Sequence, residues 1–263
     1  MSYYIDMEIP ISSIERETDP LIHMTDNWES LSYIIEQGFR PSYCTETITN
    51  DLKTQEACFP MVSLSNVSSD YAILNQRSYG TLGIILDKKW GEENDFNPVL
   101  YLERKSDITN DIISNFEEIK TYEIYNLNMA LKGIDRSIKG IMTKQHIKIF
   151  AHSKNYDGNL IRKGNLLSEK YPFGMEREWR KIIKKDQIPY FLVTDDMSEK
   201  DKFNEKIKEI RINFPLKYLK GIIVETEYEK EQAKKIICKK YNLEILPENI
   251  DLIINTTRHR YED

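Results

Sequence analysis

Three cysteines in 263 residues, Cys44, Cys58 and Cys238, are too scattered for a disulfide framework, and no CxxC pair is present. They fit a reducing cytoplasm, the expected location. The four histidines, His23, His146, His152 and His259, lack metal-site spacing, so no metal is expected. No apolar run is long enough to span a bilayer. The acidic start, Met1 to Glu8, lacks a basic region followed by an apolar stretch, so neither a membrane anchor nor a secretory signal is expected. Also missing are GxxxxGK[ST], GxGxxG, GxSxG and HExxH, which removes support for ATPase, Rossmann dehydrogenase, serine hydrolase and zincin chemistry. There is no internal repeat, low-complexity tract or evident linker.

What is there describes a soluble globular chain: 30% charged residues, 40% hydrophobic residues and a formal net charge of -6. The length suits one large domain, with residues 1–20 as an N-terminal extension. The acidic balance gives no bulk attraction for nucleic acid, though it leaves room for a local basic groove.

Periodicity predicts an α+β fold with a mostly antiparallel, split sheet and helices around it. Leu21 to Thr25 reads as a strand. Asp26 then reads as an N-cap with Glu29 three positions on, opening a helix over 27–37 that Gly38 stops. Residues 40–58 look polar and irregular. Strands are expected at 59–65, 79–86, 98–102, 146–152, 180–183, 190–193, 221–225 and 243–246. Helices are expected over roughly 106–145, with Ile112, Ile113, Phe116, Ile119, Leu127, Met129 and Leu131 as its apolar positions, and over 229–241, with Ala233, Ile236 and Ile237 inward.

The densest chemistry lies in Tyr171-Pro-Phe-Gly-Met-Glu-Arg-Glu-Trp-Arg180. In an extended segment Glu176 and Glu178 share one side, about 7 Å apart at the Cα. Two acids held together suit a cationic or electron-poor ligand; a surface strand with solvated glutamates is the plainer alternative. His23 and Thr25 stand just before a helix start, where a ribose or phosphate could be held, or where His23 simply satisfies the fold. Ser63 and Ser65 share a strand face. Tyr79 precedes Gly80, where a ring can stack beside an approachable backbone. Arg162, Lys163, Arg177, Arg180, Lys181, Lys184 and Lys185 gather near Tyr171, Phe173 and Trp179, as a single-strand binding rim or as a solubilising face. Lys234, Lys235, Lys239 and Lys240 read as the solvated face of the last helix, and Arg258 to Arg260 as a tail or a phosphate contact.

In order, His23-x-Thr25, the helix closing at Gly38, Pro60-Met61, Tyr79-Gly80-x-x-Gly83-Ile84, Trp90-Gly91, Asn97 to Tyr101 and Glu176-x-Glu178-Trp179-Arg180 resemble the AbiGi-type abortive-infection proteins of phage defence, often labelled the antitoxin half of a two-gene system. The resemblance covers about residues 20–185. The same order is similar to that of ADP-ribosyltransferases. That similarity implies NAD as substrate, with His23 and Thr25 on its adenosine side. It gives Ser63 or Ser65 the hydroxyl-strand role and Tyr79 the nicotinamide-stacking role, with Glu178 as catalytic glutamate and Glu176 toward the acceptor. The chain departs from that pattern: the Ser-x-Ser segment lacks the usual third residue, and no helix with a second tyrosine follows Tyr79. The expectation is an NAD-dependent mono-ADP-ribosyltransferase toxin that modifies a macromolecule, RNA before DNA or protein, and is held in check by an antitoxin partner. The alternative is a non-catalytic antitoxin on the same fold.

Overall fold

The structure is a computed structural model that describes residues 19–74, 79–130, 138–162, 165–183 and 197–256. In chain order the described elements are β1 (Leu21–Thr25), α1 (Trp28–Gln37), β2 (Ser42–Thr49), β3 (Thr54–Asn66), α2 (Ser69–Leu74) and β4 (Leu82–Leu86). Then come α3 (Lys88–Glu93), β5 (Asn97–Pro98), β6 (Leu100–Leu102), α4 (Asp107–Ala130), α5 (Ile138–Ala151) and β7 (Ser153–Asn155). The series closes with β8 (Gly158–Arg162), β9 (Asn165–Tyr171), β10 (Glu178–Ile182), α6 (Met197–Ile207), β11 (Leu219–Val224), α7 (Glu227–Tyr241) and β12 (Asp251–Ile254). This is the expected α+β class with a mostly antiparallel sheet, in the order β12-β11-β4-β1-β3-β10-β5, with β2 also on β3. No helix among the described residues is long and apolar enough to cross a membrane.

The 13-residue β3 organises the sheet. Ser65 pairs with both Ile22 of β1 and Glu178 of β10, so β1 and β10 flank β3 on opposite edges. Met61 pairs with both Ser42 of β2 and Ile182 of β10, so β2 also lies opposite β10. β1 and β2 therefore share one edge of β3, and residues 62–64 fall in the gap between them. The His23 ring spans that gap, its Nδ1 2.9 Å from the Ser63 carbonyl oxygen. An edge carbonyl that neither strand reaches thus gains a partner.

The period of two along β3 sorts its side chains. Val62 and Leu64 enter the large core with Leu31 and Ile35 of α1, Trp90 of α3, and Ala233 and Ile237 of α7. Ala57, Phe59 and Met61 face the other way, onto Ile113 and Phe116 of α4 and Phe150 of α5. Further along that second face, Ile22, Ile85 and Ile223 pack on Ala72 of α2. Between these two apolar clusters the face turns polar at Ser63 and Ser65.

Several local expectations change. Asn27, not Asp26, caps α1, accepting the Ser30 N–H at 2.8 Å; both residue types can cap, and the backbone turn selects the second. Gly38 ends that helix at φ 87°, as its position suggested. Residues 42–49 are a strand rather than irregular, because threonines and Ile48 replace the usual aliphatic alternation. The strand expected at 79–86 begins only at Leu82, and Gly80 at φ 109° turns the chain before it. Residues 98–102 divide between two sheets. Residues 146–151 are helical: Ile147, Phe150 and Ala151 are buried at i, i+3 and i+4, a helix face that the Ile147/Ile149 alternation masked. The last strand is Asp251–Ile254 and not 243–246. The expected strand at 190–193 and residues 1–18, 131, 163, 184, 185 and 258–260 lie outside the described residues, as do the side chains of Leu127, Met129 and Arg162.

Candidate functional site

The polar strip on the second face of the sheet is a buried ion cluster. Glu178 of β10 pairs in register with Ser65, and Arg180 with Ser63, so all four share one face. Arg180 is 0% exposed. Its Nε donates to Glu178 Oε1 at 2.7 Å, and its Nη2 to Glu178 Oε2 at 2.9 Å and Glu46 Oε2 at 2.7 Å. Nη1 donates to the carbonyls of Ala151, at 2.9 Å, and Ser153, at 3.4 Å. The guanidinium thus ties β10 to β2 and to the end of α5.

Glu176 arrives by a different route. It ends a 3-10 turn over Phe173–Glu176, and Arg177 follows in the left-handed region at φ 47°. The acids therefore do not sit on one extended segment, as the i, i+2 argument supposed. They converge because Lys154 of β7 reaches both, with Nζ 3.0 Å from Glu176 Oε2 and 3.2 Å from Glu178 Oε2. Lys154 also lies 4.3 Å above the Phe173 ring. The Tyr79 hydroxyl donates to Glu176 Oε1, and the Glu178 N–H donates to the Tyr101 hydroxyl at 2.8 Å.

Three carboxylates, Glu46, Glu176 and Glu178, thus meet two cations in a site where Glu176 and Glu178 are 6% and 7% exposed. One negative charge is left over. Burial, then the neighbouring Glu178, push the Glu176 carboxyl up to about 9, so at neutral pH it carries the proton that balances the cluster. The Lys154 ammonium, 3.0 Å from Glu176, pulls the other way, toward the ionised form; shared with Glu178, it offsets only part of the rise that burial and Glu178 cause. Burial would also raise Glu178, but Arg180 and Lys154, with a hydrogen bond from Ser63, hold it well below the usual carboxylate range. Burial raises Glu46 despite Arg180.

The structure brings Glu176, Glu178, Tyr79, Ser63 and Ser65 to this one face. It does not bring His23 and Thr25 there. Ile22 pairs with Ser65, so the next residue points to the opposite face, where the His23 ring lies 5.4 Å from Phe39 in the large core; Thr25, two residues on, shares that side. The described members of the basic group are engaged within the protein. Arg180 is in the cluster, Arg177 donates to Asp19 at 2.8 Å and to Asn66 at 2.9 Å, and Lys181 donates to the Asn94 carbonyl. These three thus form neither the single-strand rim nor the solubilising face expected of the group; Lys163, Lys184, Lys185 and the Arg162 side chain lie outside the described residues. Sequence reasoning missed Lys154, Glu46 and Tyr101. A lone lysine in Ser-Lys-Asn and a glutamate between threonines carry no signal until the sheet pairs them.

The geometry defines a class before it defines a family: an α+β protein whose sheet carries a closed ion cluster instead of an open acidic cleft. The chain belongs to the AbiGi family. The family model for the abortive phage resistance protein AbiGi, antitoxin, matches residues 37–226, which include Glu46, Tyr79, Lys154, Glu176, Glu178 and Arg180. His23 and Thr25 lie ahead of the matched span. No curated protein and no solved structure matches the chain. The match overturns the expectation of an ADP-ribosyltransferase toxin, because the family is described as an antitoxin of abortive phage resistance.

Proposed function

We propose that this chain is the non-catalytic antitoxin of a phage-defence pair, a binding protein that holds a toxin protein in check. The observation that carries the reading, beside the family, is the state of Glu178. Both its oxygens already accept charged hydrogen bonds, from Arg180 and from Lys154, inside the protein. A carboxylate that stabilises a developing cation must aim uncompensated charge at the reacting centre. Here that charge is neutralised within the fold. The placement of His23 and Thr25, the implied NAD contacts, on the opposite face of the sheet from Glu178 supports the same non-catalytic reading.

The finer fold reading fits the same picture. The strands bearing His23, Ser63 and Glu178 lie side by side, in the order β1-β3-β10. That adjacency supports an ADP-ribosyltransferase-like frame used as a scaffold. The test is to mix the purified chain with the toxin protein of its phage-defence pair, and separately with NAD. The expected result is a stable complex with the toxin and no release of nicotinamide. Nicotinamide release that Glu178→Gln abolishes would overturn the proposal.

A further inference from the structure

Residues 171–176 lead from β9 into β10. Glu176 is the buried one among them, and none of Tyr171, Phe173 and Met175 belongs to an apolar cluster of the fold. The segment leans on Tyr156, which is itself exposed: the Gly174 N–H donates to the Tyr156 carbonyl at 3.0 Å, and a Cβ on Gly174 would overlap the Tyr156 ring. A non-glycine residue in the left-handed region stands at either end, Lys170 at φ 52° and Arg177 at φ 47°. L side chains rarely adopt that backbone, and it persists where the surroundings hold it. The anchor is thus a buried carboxyl on a partly exposed segment with a strained residue on each side.

The groups around Glu176 leave its charge unbalanced. Lys154 of β7 is shared with Glu178 of β10, and Arg180 of β10 is taken up by Glu178 and by Glu46 of β2. The Tyr79 hydroxyl, ahead of β4, donates to Glu176, and the Tyr101 hydroxyl of β6 accepts the Glu178 N–H. Arg104, paired with Asp157 at 3.5 Å, approaches Phe173 across Gly158. An ionised Glu176 would be a third buried carboxylate against two cations. Glu46 and Glu178 stand on paired strands and are fixed there. Glu176 is not: it stands on the segment that can leave.

We propose that residues 171–176 are a pH-sensitive strap, which Glu176 holds against the ion cluster while it keeps its proton and which swings outward when that proton is lost. This goes beyond the antitoxin reading and does not depend on it. Opening moves no residue of an apolar core, relieves both left-handed residues and carries the carboxylate into water. Burial and the neighbouring Glu178 hold the proton up to about pH 9 in the closed form, so the strap opens near or below that pH. Burial pushes the Tyr101 hydroxyl up, so it keeps its proton throughout.

The experiment follows amide hydrogen exchange of the wild-type chain and of Glu176→Gln from about pH 6.5 to about pH 9.5, corrected for the intrinsic rate at each pH. The Gly174 and Arg177 amides report the strap, and those of Leu64 in β3 and Ile223 in β11 report the core. In wild type, protection of Gly174 and Arg177 is expected to fall about ten-fold per pH unit above the midpoint of opening, while Leu64 and Ile223 stay protected. In Glu176→Gln, which has no proton to lose at this position, all four stay protected. Unchanged protection of the wild-type strap up to the highest pH overturns the proposal. So does a loss that Leu64 and Ile223 share, since the whole fold would then be opening. Both are read in wild type alone and stand whether or not the variant folds. An equal loss of strap protection in folded Glu176→Gln also overturns it, since another group would then be titrating.

Discussion

Arg180→Met removes the centre of the ion cluster and keeps most of the side chain's volume. Arg180 is fully buried and makes two hydrogen bonds to Glu178, one to Glu46 and two to backbone carbonyls. The methionine leaves Glu46 and Glu178 buried with Lys154 as their nearest cation, and it leaves the Ala151 and Ser153 carbonyls without this donor. Removing one partner of a buried ion pair costs about 3–5 kcal/mol. Protonation of Glu46, already raised by burial, relieves part of that, so about 3 kcal/mol is the expected loss. For a chain of this size each kcal/mol moves the melting midpoint by about 2–4 °C, so Tm should fall by about 10 °C. Circular dichroism melts at pH 7 in one buffer read the difference. A variant melting within about 2 °C of wild type would refute the reasoning, because the guanidinium would then be bonded to water as readily as to the protein.

Three further perturbations probe other parts of the account. Folded Glu176 keeps a proton up to about pH 9 that the unfolded chain releases near 4.5, so the folded state binds more protons between those values and stability falls as pH rises through that window. The loss approaches about 1.4 kcal/mol per pH unit for one group, and urea melts at pH 6 and pH 8.5 should show a decline that Glu176→Gln flattens. Glu178, shifted downward, adds nothing to this slope, since its stabilisation is lost only in strong acid. His23→Ala should cost about 1–3 kcal/mol by leaving the Ser63 carbonyl in the β3 gap without its partner, and an unchanged urea midpoint would count against that role. Gly80→Ala should cost at least about 2 kcal/mol, because φ is 109° and a Cβ would overlap the Thr25 carbonyl. A Gly80→Ala protein as stable as wild type would show that this turn relaxes freely.

Much of the framework was legible because it follows from local patterns. The nearly all-apolar run 79–86 reads as a central strand and is one from Leu82 on, Gly38 reads as a helix end and is one, and of Ala233, Ile236 and Ile237, read as the inward face of the last helix, the first and last are fully buried and Ile236 partly so. The failures have physical causes. Ser42–Thr49 pairs along its whole length with β3, and that pairing outweighs its polar composition. The His146–His152 alternation mimics a strand, yet burial follows i, i+3, i+4 because α5 packs on Phe59 and Phe116. The site was half legible. Glu176 and Glu178 stood out by spacing, and they do meet. What closes the site are Arg180, Lys154 and Glu46, brought together from β10, β7 and β2 by strand pairing that no spacing in the sequence reveals. Arg180 looked like part of a surface rim because the partners that bury it besides Glu178, namely Glu46 and the Ala151 and Ser153 carbonyls, are distant in sequence.

The claim that matters most is that this chain neutralises a toxin without chemistry at Glu178. Growth of cells expressing the toxin tests it directly, with wild-type chain or Glu178→Gln supplied from a second plasmid. The account predicts that the chain alone leaves growth unchanged, that wild type restores growth of toxin-expressing cells, and that folded Glu178→Gln protein restores it equally. Growth arrest by the chain alone, lost in Glu178→Gln, would contradict it.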